Sequence, residues 1–127
     1  MVSEGATLYE VVGGQQWFVD LVDDFYDRVA VDETLRPMYP EDLAGARARL
    51  TGFLVQYWGG PTTYSDERGH PRLRMRHQPF VIGARQRDAW YSHMEGAVRA
   101  RGLDAPVEDV VLEYFDRAAT AMINHPG

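Results

Sequence analysis

The sequence predicts an all-α fold. Apolar residues recur every three or four positions in each long segment, the spacing that places them on one face of a helix. No segment alternates apolar and polar residues with the period of two that is typical of strands. Glycine and proline separate the periodic segments. At 127 residues the chain is expected to form a single domain over 1–127, with enough buried surface for a core.

Two helices are predicted near the start of the chain, over 7–12 and 15–31. Thr7 can cap the first helix, and Gly13 and Gly14 can end it. The segment ETLRPMYPED, at 33–42, should hold one helical turn between its prolines. The second helix carries aspartates mostly opposite an apolar stripe, which consists of Phe18, Leu21, Val22, Phe25 and Val29.

Three further long helices are predicted over 43–57, 84–101 and 106–124. The segment WGGPTTYSDERGH, at 58–70, is predicted to be loop. A short helix over 70–77 should end before Pro79, because the residue before a proline disfavours helix. Pro106 suits a first helical turn. The apolar stripes are Leu43, Ala46, Leu50, Phe53, Leu54 and Tyr57; then Trp90, His93, Met94 and Ala97; then Val107, Val110, Val111, Tyr114, Ala118 and Met122.

Composition excludes several classes of function. The formal charge of −6 argues against broad binding of nucleic acid or anionic membranes, which depends on basic surface. The absence of cysteine excludes disulfides, thiolate metal sites and a cysteine nucleophile. No signal peptide is visible in residues 1–20, and no apolar run is long enough to span a membrane. A cytoplasmic location is therefore expected.

Among the four histidines, His77 is the strongest candidate ligand. No two histidines have the i, i+4 spacing of a helical zinc site. His125 lies near the terminus, and His70 can cap a turn before Pro71. His93 is expected to be a hydrogen-bonded structural histidine, because it lies on an apolar helix face. His77 instead ends a short helix, where a scaffold can present a ligand.

The arginines near His77 allow two interpretations. Arg68, Arg72, Arg74 and Arg76 could form a solvated face, or they could bind an anionic group beside His77. The chain is also rich in aromatic residues. A large, flat, apolar ligand with anionic edges would use the aromatic walls, one histidine and the peripheral arginines together. Haem has this character, because it combines an apolar macrocycle, two propionates and an iron that takes an axial histidine.

The sequence resembles the truncated haemoglobins of bacteria, specifically their second group, over essentially the whole chain. The stretches that carry the resemblance are VGG at 12–14, FYDRVA at 25–30, LRPMYPEDLAGARARL at 35–50, YWGGPTTYSDERGHPRLRMRHQPFVIG at 57–83 and RDAWYSHM at 87–94. The resemblance implies a two-over-two helical sandwich around haem b. One departure is that YPEDLAGA is a residue shorter than in many relatives, which could shift Tyr39.

The resemblance also implies a role for individual residues. His77 matches the proximal ligand of the iron. On the distal side, Tyr26, Tyr39 and Trp90 match the residues that stabilise a bound ligand, and Ala46 matches the position of the distal histidine in ordinary globins. Leu50 matches the next inward position. The residues matching haem-lining positions are Phe53, Leu54, Tyr57 and Phe80, and the candidates for binding the propionates are Arg49, Tyr57 and Arg76.

Distal donors favour slow ligand release. A bound dioxygen acquires negative charge, so hydrogen bonds from Trp90 and Tyr39 should retain it, while Tyr26 orients the network. Slow release argues against a passive oxygen store and for redox chemistry. Nitric oxide dioxygenation and a peroxidase-like reaction are both compatible with this, each with an external reductase. The expected small ligands are dioxygen, nitric oxide, carbon monoxide and peroxide, and a homodimer is suggested by family analogy.

Two other classes of function stay open at the level of sequence. The chain could be an oxygen or redox sensor whose ligation state is read by a partner protein. It could also be a haem-free helical module in which RLRMR, at 72–76, holds a phosphorylated partner. An absorption spectrum after haem reconstitution separates this third class from the two haem-dependent ones.

Overall fold

A computed structural model describes residues 6–69 and 81–124, and all regular secondary structure in these two ranges is helical. No helix within them is long and apolar enough to cross a membrane. A 3₁₀ turn covers Arg36–Met38. The α-helices are α1 (Leu8–Val11), α2 (Gln15–Val29), α3 (Ala44–Tyr57), α4 (Thr63–Arg68), α5 (Ala84–Ala100) and α6 (Ala105–Ala121).

The chain divides into two compact units, and α2 contributes to both. Unit 1 comprises Met1–Asp23 and Asp42–Pro71, and unit 2 comprises Asp24–Glu41 and Arg72–Gly127. A single domain over 1–127 stays a prediction.

Unit 1 is built around Phe18, whose side chain is fully buried. Its ring lies 6.0 Å from that of Tyr9 and 6.1 Å from that of Trp58, in stacked orientations. Thr7 caps α1 through a capping box with Glu10, as predicted from the sequence. Gly59 approaches Thr7 so closely, with a φ of +99°, that an added Cβ would lie 2.5 Å from the threonine methyl group. The start of α1 and the end of α3 are therefore held together.

Unit 2 has a core formed by the second half of α2 with α5 and α6. The segment before α5 is also paired with the segment after α6. The backbone N–H of Ile82 donates to Asn124 Oδ1 at 2.9 Å, and the N–H of Asn124 donates to the Ile82 carbonyl at 2.8 Å. The fully buried side chains of this core, among the described residues, are Phe25, Val29, Met94, Ala97, Val98, Val111 and Phe115.

The prediction of loop throughout 58–70 was wrong, because α4 lies within it. α4 has only six residues and buries only Tyr64, so no periodic stripe marks it. Contacts made by α3 help to stabilise it. Gln56 accepts a hydrogen bond from the Ser65 N–H at 2.8 Å, and the Phe53 ring meets the Tyr64 ring edge-on at 5.9 Å. The helix predicted over 70–77 lies outside the described residues.

The predicted apolar stripe of the last helix was also wrong in register. Val110 is 60% exposed, whereas the buried residues of α6 are Val111, Leu112, Phe115 and Ala119. Apolar residues surround most of this helix, so two stripes satisfy the same helical period. The observed one buries Phe115 against Trp90, with ring centroids 5.9 Å apart. α2 and α6 also end two and three residues earlier than predicted.

Candidate functional site

The three predicted distal residues lie together in unit 2. Tyr26 is on α2, Tyr39 ends the 3₁₀ turn, and Trp90 is on α5. The Tyr26 and Tyr39 rings are perpendicular, at 87°, with centroids 5.5 Å apart. Tyr39 makes side-chain hydrogen bonds with both Trp90 and Tyr26. Because an indole N–H can only donate, the Tyr39 oxygen is the acceptor from Trp90.

Burial keeps the Tyr39 hydroxyl protonated. Desolvation raises the pKa of Tyr39, and the hydrogen bonds from Trp90 and Tyr26 lower it by a smaller amount. The net shift is upward, so the side chain is a neutral phenol near pH 7. Its oxygen accepts from the indole while its own proton can be donated to a ligand. The trio is therefore a donor site suited to a small ligand with partial negative charge.

Local structure fixes the position of Tyr39. Leu35, just before the 3₁₀ turn, is buried at 2% exposure. Beyond the turn, the Arg36 guanidinium donates to the carbonyl oxygens of Tyr39, Pro40 and Glu41, at 3.3, 2.9 and 2.6 Å. These bonds fold the short acidic segment back on itself. Tyr39 thus reaches Tyr26 and Trp90 although YPEDLAGA is short.

Phe25 supports the trio from behind. Its fully buried ring lies 4.9 Å from that of Tyr26 and 5.2 Å from that of Trp90, both in edge-on geometry. Phe115 contacts the Trp90 ring as well. Packed aromatic neighbours limit the rotamers open to Trp90, so the direction of its N–H is restricted.

The other predicted binding residues of the described chain lie on α3, in unit 1. Ala46 and Leu54 are buried at 6% and 1% exposure. Leu50 and Phe53 are half-buried, as is Arg49, and Tyr57 is 52% exposed. The Phe53 and Tyr57 rings stack at 6.0 Å.

The spacing of these α3 residues creates a partly exposed apolar face. Leu50, Phe53 and Tyr57 follow one another at three and four positions, so they lie on one side of the helix. Partly exposed aromatic and aliphatic surface of this kind fits the flat face of a macrocycle such as haem. The remaining predicted residues, Arg76, His77 and Phe80, lie outside the described residues. His77, the predicted axial ligand of the haem iron, is one of these three.

His93 is a structural histidine, as predicted, and its partner was not predicted. Its Nε2 donates a hydrogen bond to Asp32 Oδ2, and both side chains are largely buried. This bond holds the pKa of Asp32 below its usual value, against the opposing effect of burial. The partners are 61 residues apart, so no local sequence signal could have paired them.

Comparison with known proteins agrees with the resemblance seen in the sequence. A family model described as bacterial-like globin matches residues 7–124. The group 2 truncated haemoglobin YjbI of Bacillus subtilis (strain 168) is 40% identical over 116 residues, which cover 91% of this chain and 87% of that protein. The chain belongs to the bacterial-like globin family.

Solved structures of globins extend this likeness to the fold. A thermostable haemoglobin from the actinobacterium Thermobifida fusca matches with a TM-score of 0.93 and 54% identity, over 96% of this chain and 100% of that one. A truncated haemoglobin from Bacillus subtilis described as oxygen-avid matches with a TM-score of 0.88 and 39% identity, over 94% and 100%. The predicted all-α truncated-globin fold and the likeness to group II are confirmed. Membership of this globin family implies binding of small gaseous ligands at haem.

Proposed function

We propose that this globin binds dioxygen and other diatomic ligands at haem b, releases oxygen slowly, and serves redox chemistry of oxygen, nitric oxide or peroxide. The observation that carries the proposal is the hydrogen-bonded trio of Tyr26, Tyr39 and Trp90. A related haemoglobin with the same fold is described as oxygen-avid, which supports strong retention of the ligand. Nitric oxide and carbon monoxide would bind at the same place.

The proposed cofactor contacts follow the residues described above. His77 would coordinate the iron, and Arg49, Tyr57 and Arg76 would bind the propionates. Leu50, Phe53, Leu54 and Phe80 would line the macrocycle together with Trp90. Ala46, which matches the distal-histidine position of ordinary globins, has no donor in its side chain, so ligand stabilisation would be left to the trio.

The trio acts on the ligand by electrostatics. Tyr39, neutral and partly desolvated, would donate towards the charge that the ligand acquires. Trp90 was expected from the sequence to donate to the ligand as well, but its one N–H donates to the Tyr39 oxygen, so Trp90 would bond the ligand only by leaving Tyr39. Tyr26 would orient the network. A hydrogen bond to a charged group contributes about 1.5–3 kcal/mol, which corresponds to a factor of roughly 10 to 150 in ligand escape. A ligand held by such donors is poorly suited to storage and delivery, which favours turnover at the site.

The haem would supply an iron centre at which nitric oxide and dioxygen combine to nitrate, or peroxide is reduced. Nitrate formation leaves the iron ferric, so an external reductase, which would be the main protein partner, must return one electron per turnover. Reduction of peroxide to water takes two electrons, from that reductase or from a reducing substrate. A homodimer is also proposed, by analogy with the family. A cytoplasmic location is proposed from the lack of cysteine and of a visible signal peptide. If the haem reports oxygen to a partner protein instead, the chain would be a sensor.

Substitution of Trp90 by leucine should accelerate oxygen release by about tenfold or more, because it removes one donor from the network. Stopped-flow displacement of oxygen from the ferrous protein measures this rate. An unchanged rate would contradict the distal model. The Soret band of the purified, haem-reconstituted protein tests cofactor binding, and its absence would exclude both haem-dependent functions.

The enzymatic alternatives are separated by mixing the oxygenated protein with nitric oxide and, in a second experiment, the ferric protein with peroxide and a reducing dye. Rapid formation of nitrate would favour dioxygenation, and rapid oxidation of a reducing dye would favour the peroxidase-like reaction. Pull-downs from cells at two oxygen levels test the sensor, which predicts a partner captured at only one of them.

A further inference from the structure

The contact between His93 and Asp32 lies close to the distal trio but outside it. Asp32 uses both of its carboxylate oxygens. Oδ2 accepts from His93, while Oδ1 accepts from the backbone N–H groups of Thr34 at 2.7 Å and Leu35 at 3.1 Å. The side chains of His93 and Asp32 are only 24% and 18% exposed. A carboxylate held in this way is fixed in orientation as well as position.

Asp32 begins the segment that ends at Tyr39. Its carbonyl accepts from the Arg36 N–H at 2.9 Å, and the Arg36 carbonyl accepts from the Tyr39 N–H at 3.2 Å. Leu35 between them is buried. The carboxylate and the carbonyl of Asp32, with the carbonyl of Arg36, thus accept hydrogen bonds from backbone N–H groups along the whole segment up to Tyr39.

His93 is tied to the other side of the trio. It follows Trp90 by three positions on α5, so the two side chains lie on the same face of the helix. Tyr39 and Trp90 are hydrogen-bonded to each other. The His93–Asp32 and Tyr39–Trp90 hydrogen bonds thus both join α5 to the segment 32–39. Their positions on α5 are about one helical turn apart.

We propose that His93 and Asp32 are positioning residues that hold Tyr39 within hydrogen-bonding distance of Trp90. The pair would act through this segment and not as a donor to the ligand. It fixes the segment that carries the phenol onto the helix that carries the indole, and it lowers the number of conformations in which their hydrogen bond is broken. Its effect on oxygen release rests on the proposed function, whereas its effect on the Tyr39–Trp90 bond does not.

Hydrogen exchange at the Trp90 indole N–H tests the proposal directly. The experiment uses the ¹⁵N-labelled ferrous carbon monoxide complex, which is diamagnetic, with the indoles of Trp17 and Trp58 as internal references. His93→Leu should raise the exchange rate at Trp90 by about tenfold, equivalent to about 1.4 kcal/mol. His93→Gln keeps an N–H that can donate to Asp32, so it should restore most of the protection.

A matched control is the substitution Asp24→Asn. Asp24 forms ion pairs with Arg28 at 2.9 Å and Arg101 at 3.2 Å, in the same unit but away from the 3₁₀ segment. This change should leave exchange at Trp90 unaltered. If His93→Leu does not fold, Asp32→Asn replaces it, because the asparagine keeps an oxygen for the N–H groups of Thr34 and Leu35.

Equal exchange rates in the wild type and in the His93 or Asp32 variant would overturn the proposal, as would an equal increase in Asp24→Asn. Oxygen release from the same proteins separates this idea from the proposed function. Faster exchange with unchanged oxygen release would support the positioning role and contradict the distal model of slow release. If Trp90→Leu loses slow oxygen release while His93→Leu leaves the exchange rate at Trp90 unchanged, the distal model would be supported and the positioning role contradicted.

Discussion

At the scale of the residue, the proposed function depends most on the hydroxyl group of Tyr39. Its oxygen accepts from Trp90, and the bond with Tyr26 restrains it further. The identity of these three residues could be predicted from their likeness to a family pattern. Their hydrogen bonds could not be, because the orientation of Tyr39 depends on the fold of the 3₁₀ segment and its arginine.

Substitution of Tyr39 by phenylalanine should accelerate oxygen release more than substitution of Tyr26 does. The first change removes the hydroxyl proposed to donate to the ligand and also the acceptor of the Trp90 N–H, whereas the second removes only a supporting bond. Oxygen displacement kinetics of Tyr39→Phe and Tyr26→Phe measure the difference. Tyr91→Phe, on α5 outside the trio, is the matched control and should match the wild type. A larger effect at Tyr26 would reverse the assigned roles.

At the scale of the element, the ends of the long helices could be predicted to within a few residues. A short helix could be predicted only where a capping residue marked its start. Thr7 gave α1 a recognisable start, since its hydroxyl and the Glu10 carboxylate bond each other's backbone N–H groups. α4 carried no comparable signal. Its stabilising contacts come from Gln56 and Phe53 on α3, and such tertiary contacts are invisible in a local pattern.

The register of α6 shows why an apolar pattern alone was insufficient. Its sequence permits two stripes, and packing selects the one that buries the wholly apolar side chains of Leu112 and Phe115 over the one that contains the phenol of Tyr114. Burial of a phenylalanine ring removes apolar area from water without the cost of taking a tyrosine hydroxyl out of water.

The register predicts different costs for two truncations on this helix. Phe115→Ala should lower the free energy of unfolding by about 3–5 kcal/mol, because it leaves a cavity beside Trp90. Val110→Ala should change it by no more than about 0.5 kcal/mol, since Val110 is mostly exposed. Urea unfolding of the holoprotein measures both. Similar costs for the two variants would contradict the register described for α6.

At the scale of the whole molecule, the acidic balance of 19 carboxylate residues against 13 arginines is moderated by ion pairs. Asp24 pairs with two arginines, and Asp23 and Asp116 pair with Arg47 and Arg87. Exposed pairs of this kind contribute little to stability. The largely buried Asp32 is different, because its ionised form is stabilised by His93 and two backbone N–H groups.

Lowering the pH should therefore remove the contribution of ionised Asp32 to the free energy of unfolding. Since its pKa is lowered in the folded protein, its contribution is fully present above the pKa of an unperturbed aspartate, about 3.9, and falls as the pH drops through the lower folded value. Urea unfolding at pH 7 and pH 3 should show the wild type more stable than Asp32→Asn at pH 7, with the gap reduced at pH 3. An identical gap at both pH values would refute this.

The desolvated phenol of Tyr39 has a further physiological consequence. A donor that titrated near neutrality would make oxygen affinity depend on acidity, as in the Bohr effect. Burial moves the titration of Tyr39 the other way, above the ordinary tyrosine value of about 10. The proposed donor would therefore introduce no Bohr effect, and acidification that accompanies oxygen shortage would not by itself weaken its hydrogen bond to a ligand.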